Sequence, residues 1–208
     1  MKNQVELIGH YGNDLTHCCS AWTSVSRELT EDKLQEERQR KMLNMLAKEG
    51  HHTPFEKSTL HFLVTADTAS HIHIIKHRIG VCVNGESARY RELKDKALVP
   101  HDWPLDEQLW LAAHNSQCFQ RYHDCLNRLV AAGYPRKRAK ESARFYLPYS
   151  NQLVLDVSFN FRSFMHFQGL RNSEHAQLEI REIAQDMLRL VRETGDFDLS
   201  LEAFGYGR

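Results

Sequence analysis

Between Lys76 and Tyr90 the chain gathers three cations, Lys76, Arg78 and Arg89, with the carboxylate Glu86 and the hydroxyl Ser87. Asn84-Gly85 in the same stretch is a turn signal. A guanidinium presents a planar fork that suits phosphate or a carbonyl edge, and serine adds a short donor. Backbone amides in a glycine-containing turn can face anionic oxygens. The chemistry on offer is therefore the binding of a small anion, although an ordinary polar surface loop has a similar composition. A second cluster, His51-His52-Thr53-Pro54-Phe55-Glu56, follows Gly50. Loops on a rigid scaffold often carry sites, and a plain connection is the rival reading. A third runs through Asn160, Arg162 and Ser163 to Arg171 and His175-Ala176-Gln177, with Arg144 upstream. Its rival reading is a set of surface arginines.

Metal binding is another use for the 13 histidines. His114 and Cys118 are four apart on a helical stretch and suit two zinc ligands, but no further ligand stands at a familiar spacing. No phosphate-binding P-loop and no dinucleotide fingerprint occurs. Cys18-Cys19 beside His17 reads as buried packing, and Arg136-Lys137-Arg138 as a solvated helix face.

The elements that must position these residues can be read from periodicity. Strands are expected over 5–8, over 59–65, where Leu60, Phe62 and Val64 alternate, and over 152–159, where Leu153, Leu155, Val157 and Phe159 do. Helices are expected over 30–49, 69–79, 106–132, 136–145, 162–170 and 174–194. Residues 80–90 read as irregular. Strands and helices do not alternate regularly, which predicts an α+β fold. The 208 residues suit a single domain over 1–208.

Composition narrows the function classes. Lys+Arg and Asp+Glu both number 27, which argues against a nucleic-acid binder working through a broad positive field. No window approaches the ~18 to 20 apolar residues of a membrane span, and the N-terminus lacks a signal-peptide pattern. The five cysteines are odd in number and form no Cys-x-x-Cys, so free thiols in the cytoplasm are expected.

Taken in order, the three clusters resemble flavin-dependent thymidylate synthases. That family's hallmark is Arg-His-Arg, seven residues, Ser, and then Arg-Tyr. Here Lys76-His77-Arg78 is followed by eight residues, Ser87 and Arg89-Tyr90. His51-His52-Thr53-Pro54-Phe55-Glu56 is similar to its His-x-Thr-Pro-Phe-Glu, and Asn160-Phe161-Arg162-Ser163 to its Asn-x-Arg-Ser. Leu170-Arg171 and His175-Ala176-Gln177 match its closing segment.

The resemblance implies a twisted sheet flanked by helices, assembled as a homotetramer with active sites between subunits. It implies reductive methylation of dUMP to dTMP, with methylenetetrahydrofolate giving the carbon and NADPH reducing FAD. Ser24, His51, Thr53, Lys76, His77, Arg78, Asn160, Arg162 and His166 fall at FAD-contacting positions. His73, Glu86, Ser87, Ala88, Arg89, Arg144 and Arg171 fall at dUMP-contacting positions, and Arg171 matches the arginine that favours ionisation of uracil N3. The implied partners are small molecules, with no nucleic acid and no membrane.

There are departures from the pattern. Lys76 replaces the first Arg and loses its planar fork. One extra residue precedes Ser87, and Gly85 takes the place of the carboxylate that Glu86 supplies one position later. His73 stands where Gln is common, and His166 where Asn is common. A related pyrimidine nucleotide hydroxymethylase and a non-catalytic nucleotide-binding module are the alternatives.

Overall fold

The computed structural model describes residues 2–87 and 89–207. Its strands are β1 (Gln4–Tyr11), β2 (Thr59–Asp67), β3 (Val81–Gly85) and β4 (Gln152–Asn160). Its α-helices are α1 (Asp14–Trp22), α2 (Glu31–Leu34), α3 (Glu36–Lys48), α4 (Thr68–Ile75), α5 (Leu105–Ala131), α6 (Arg136–Ala143), α7 (Phe161–Arg171), α8 (Leu178–Thr194) and α9 (Asp198–Ala203). Single 3₁₀ turns cover Thr53–Glu56 and Arg144–Tyr146. The class is α+β, as the irregular order of elements predicts.

The sheet order is β1-β2-β4-β3. The Asn160 amide bonds the Gly80 carbonyl and the Glu86 amide bonds the Val154 carbonyl, each at 2.9 Å, so β3 runs antiparallel to β4. Asn3 bonds Asp67 at 2.8 Å, while Gly12 packs on Ser58, which makes β1 and β2 antiparallel as well. Alternation sets the buried face: Leu60, Phe62, Val64 and Ala66 of β2 are fully buried, as are Leu155, Val157 and Phe159 of β4.

The helix expected over 30–49 is broken at Gln35, whose extended backbone (ψ 133°) ends α2 and opens α3. The helix expected over 69–79 stops at Ile75, and Gly80 further on takes the left-handed conformation with φ +64°. The helix expected over 136–145 gives way to the 3₁₀ turn at Arg144. The stretch 80–90 is not wholly irregular, since it holds β3. Val81 and Val83 are β-branched, and Asn84-Gly85 continues the strand instead of turning it. Helices α1 and α9 were not expected.

By its contacts the chain divides into two compact units. The first comprises Met1–Gln4, Val64–Lys76 and Asn84–Leu155. Here Tyr122 and Leu126 of α5 pack with Ala143 of α6. The second comprises Val5–Leu63, His77–Val83 and Asp156–Arg208. Its core is aromatic: Phe161 stacks on Phe197 at 5.4 Å and on Phe55 at 6.2 Å. The apolar face of α8, with Ile180, Ile183, Met187 and Val191, is buried too. No described helix is long and apolar enough to cross a membrane.

A buried polar chain crosses that aromatic core. Ser200 Oγ donates to Asp14 Oδ1 at 2.5 Å, so it accepts from His17 Nδ1 at 2.9 Å. His17 Nε2 is then the acceptor for the Ser58 hydroxyl at 2.8 Å. Burial pushes the His17 imidazole down from 6.5 to about 4, so it stays neutral. Below pH 6.5 the unfolded chain takes up a proton at His17 that the folded chain refuses, and stability falls with pH until about pH 4. At ~1.36 kcal/mol per pH unit, this lowers stability by about 2 kcal/mol at pH 5. Burial raises Asp14, which acts in the opposite sense as its carboxylate protonates. The His17 contribution is isolated by comparison with His17→Gln. The melting temperature of the parent should drop relative to the variant by roughly 4–8 °C between pH 7 and pH 5. A pH-independent difference would rule this out.

Candidate active site

In the first unit a cleft of about 370 Å³ opens beside the end of β3. Glu86, Ser87, Arg89 and Arg144 all line it, although Arg144 stands far from the other three in the chain. Ser87 Oγ accepts the Arg89 backbone amide at 3.3 Å, which fixes the turn. Arg89 Nε donates to Glu141 Oε1 at 2.7 Å. That carboxylate steadies the guanidinium and leaves its two terminal nitrogens for a ligand. Arg144 is exposed and makes no ion pair among the described residues. The Glu86 carboxylate is already engaged: it pairs with Arg91 Nε at 3.0 Å and accepts the Val154 amide at 3.4 Å. Both contacts brace the loop.

The extra residue before Ser87 leaves no bulge in the strand. Gly80 to Glu86 pairs with Asn160 to Val154 over equal lengths of chain. A Cβ at Gly85 would meet Leu155 Cδ2 at 3.3 Å, so a larger side chain there would press on β4. His73 is half-buried on α4 and is not among the cleft's lining residues. Ala88 lies outside the described residues.

In the second unit a cleft of about 420 Å³ is lined by Arg162, Ser163, Met165 and His166 of α7 together with Ile79, His52 and Phe204. Arg162 Nη1 donates to Glu56 Oε1 at 2.5 Å, which joins two of the sequence clusters. Asn160 caps α7, its Oδ1 accepting the Ser163 amide at 2.8 Å. Ser163 Oγ donates to the Ile79 carbonyl at 2.6 Å, so the turn carrying Arg78 is clamped to the helix start. Arg78 is exposed and has no carboxylate partner among the described residues. His51 and Thr53 are exposed beside Phe55, which anchors their segment in the aromatic core. Ser24 is exposed beyond α1, donating to the Ala21 carbonyl at 2.9 Å, and is not among the residues lining the cleft. Lys76, exposed at the end of α4, belongs to the first unit.

Arg171 also belongs to the second unit. Its Nε donates to His77 Nε2 at 3.1 Å. An acceptor Nε2 makes His77 the neutral tautomer with its proton on Nδ1. His77 is buried, with Phe167 edge-on at 5.0 Å, so it holds Arg171 from within the fold. Burial pulls the Arg171 guanidinium below its ordinary value, yet it remains a cation at neutral pH.

The family described as "Thymidylate synthase complementing protein" matches residues 6–194. The chain belongs to this family. Its curated relatives include the flavin-dependent thymidylate synthases of Streptomyces avermitilis and Thermotoga neapolitana. The first is 27% identical, with 91% of this chain and 82% of the relative covered. The second is 31% identical, with 92% and 87% covered. Among solved structures, a UMP/dUMP methylase, PolB from Streptomyces cacaoi bound with 5-Br dUMP, superposes with a TM-score of 0.80 at 27% identity. That match covers 99% of this chain and 96% of PolB. The protein is thus an enzyme of a family whose curated members are flavin-dependent thymidylate synthases, and the resemblance read from the three clusters is correct.

Several lining residues escaped the sequence reading. Thr68, Tyr149 and Asn151 line the first cleft and Phe204 the second, while Ile79 and Met165 stood within the first and third clusters without a role of their own. Phe204 carries no local signal at all. Glu56 was in plain view within the second cluster, but its role as the partner of Arg162 needs the third dimension.

Proposed function

We propose that the enzyme converts dUMP to dTMP by reductive methylation, with methylenetetrahydrofolate as carbon donor, FAD as flavin and NADPH as its reductant. The observation that carries this reading is the cleft of the first unit, where Ser87, Arg89 and Arg144 converge. A nucleotide monophosphate is a dianion near neutral pH. Arg89, oriented by Glu141, and Arg144, with no competing carboxylate among the described residues, are suited to hold it. Ser87 adds a hydroxyl and positions the nucleotide without attacking it.

The second cleft has the donor set a flavin needs. Ile79, Met165 and Phe204 offer apolar wall to a flat ring system, and Arg162 stands at its edge with Nη2 and Nε available beyond its bond to Glu56. Arg78 supplies a charge suited to the diphosphate of FAD, with Lys76 proposed as a second. His51, Thr53, Asn160 and His166 complete the proposed contacts, with His77 and Ser24 as supports. When bound, FAD supplies the hydride; the protein supplies orientation and electrostatics. Arg171 stabilises the negative charge that the uracil ring gains on losing its N3 proton. His77, accepting from Arg171 Nε, sets the orientation of the guanidinium. His73 and Ala88 complete the proposed nucleotide contacts. Assembly as a homotetramer, with sites shared between subunits, belongs to the same proposal.

The test is spectroscopic. The purified protein should be yellow, or become so on adding FAD, and its flavin absorbance should bleach under NADPH. Arg162→Ala should lose most of that flavin. A colourless protein that fails to take up FAD would refute the assignment. One observation favours a second reading: PolB has also been solved with 5-Br UMP, and superposes on this chain with a TM-score of 0.75. The enzyme would then methylate UMP as well as dUMP, which product analysis with each nucleotide decides.

A further inference from the structure

Asn151 lies in the wall of the first unit's cleft, just before β4. Its backbone is tied down. The amide bonds the Pro148 carbonyl at 3.0 Å, the carbonyl accepts from Thr68 Oγ1 at 3.2 Å, and an antiparallel bridge joins it to Ala97. Only 3% of the residue is exposed. Yet its side-chain carbonyl, Oδ1, is buried with no hydrogen-bond partner among the described residues. A buried acceptor left in that state costs roughly 1–3 kcal/mol, and an apolar residue of similar size would avoid the penalty.

The rest of the wall says what kind of ligand would complete it. The cations are Arg89 and Arg144, which suit a phosphate, and the carboxylate of Glu86 is paired with Arg91. Leu93, Leu147 and Leu153 are apolar. The Thr68 hydroxyl proton is already given to the Asn151 backbone. The Asn151 carbonyl is therefore a neutral acceptor in the wall of a cleft whose cations suit the anionic end of the ligand; it is closed to solvent in this structure, so it meets a ligand hydroxyl as the carboxamide turns. A pyrimidine mononucleotide has two neutral donors of the right kind, the base N3–H and a sugar hydroxyl. In the reaction proposed above, the N3 proton is lost with the help of Arg171, so the sugar hydroxyl remains.

We propose that Asn151 is a specificity residue of this cleft, its side-chain carbonyl accepting a hydrogen bond from a ribose or deoxyribose hydroxyl of the bound nucleotide. The inference rests on the nucleotide reading of the cleft and adds the group that reads the sugar.

The experiment titrates the flavin-loaded enzyme and Asn151→Leu with dUMP, 2′,3′-dideoxy-UMP, N3-methyl-dUMP and inorganic phosphate. The parent should bind dideoxy-UMP about tenfold more weakly than dUMP, the size of one neutral hydrogen bond. Asn151→Leu should lose about the same factor for dUMP, bind dUMP and dideoxy-UMP alike, and keep the parent's affinity for phosphate. Its melting temperature without nucleotide should equal or exceed that of the parent, because an unsatisfied buried acceptor has been removed. Asn151→Ala supplies the same binding comparison should the leucine fail to pack.

A parent that binds dideoxy-UMP as tightly as dUMP overturns the inference without any variant. So does a variant that melts lower and binds dUMP normally, since the carboxamide would then serve the fold alone. If the Asn151-dependent loss appears with N3-methyl-dUMP instead, the sugar assignment is overturned. A parent that binds phosphate but not dUMP overturns the nucleotide reading, and this inference with it. Normal dUMP binding by both proteins overturns the inference alone.

Discussion

Arg171→Ala should cut turnover by on the order of 10²-fold or more at saturating dUMP while leaving flavin content near that of the parent. In the proposed chemistry, charge builds on the uracil ring as N3 loses its proton. A guanidinium in a partly buried position acts on that charge far more strongly than one in water. Arg171 is such a group, and its bond to His77 Nε2 fixes where the charge sits. Truncation removes the charge and leaves the neutral His77 without that donor. Arg171→Lys separates the two losses, since it restores a cation without the planar fork. It should recover part of the turnover but not all of it. Steady-state kinetics with the flavin absorbance recorded on the same samples makes the comparison. An alanine variant of near-normal turnover would remove Arg171 from the reaction.

The second large effect belongs to a residue with no side chain. Gly80 has φ +64°, and a Cβ built there would lie 2.3 Å from Asn160 Nδ2 and 2.4 Å from Ser163 Oγ. Gly80→Ala pairs a left-handed backbone, unfavourable by about 1–2 kcal/mol, with displacement of the Asn160 cap, worth about 1 kcal/mol. We expect about 2–3 kcal/mol of lost stability, a fall of roughly 4–12 °C in melting temperature, together with loss of FAD uptake. Gly169→Ala, on the same helix α7, is the control. A Cβ there meets nothing within 4 Å, so that change should be neutral or stabilising by up to about 1 kcal/mol. Calorimetric melts of both variants decide the matter, and equal melting temperatures would contradict the steric argument.

The long periodic elements were legible because their burial is periodic. β2 and β4 alternate, and α8 shows one apolar face, each from local sequence alone. What failed was local in another sense. β3 is five residues long and mostly exposed, so its alternation of Val81 and Val83 carried little hydrophobic contrast and the Asn-Gly pair looked like a turn. Helix α1 hides behind polar residues, Asp14 and His17, that are buried only because Ser58 and Ser200 answer them across the fold. The site was legible as residue types in order. It was not legible as geometry: nothing in the chain announces that Glu86 is spent on Arg91, that Glu141 aims Arg89, or that Asn151 keeps an acceptor without a partner among the described residues.

The unbroken pairing of β3 with β4 has a consequence for how this enzyme can change. Because the strands stay in step from Gly80 to Glu86, the added residue does not displace the Asn160 end of β4. The segment that follows Glu86 lies beyond β3, and a surface connection of that kind lengthens at little entropic cost. That segment is open to remodelling, whether by insertion, deletion or laboratory selection for a different nucleotide, while the clamp between Ile79 and Ser163 remains as it is. Under the proposed assignment of the two clefts, substrate choice and flavin retention can therefore be selected separately in this chain.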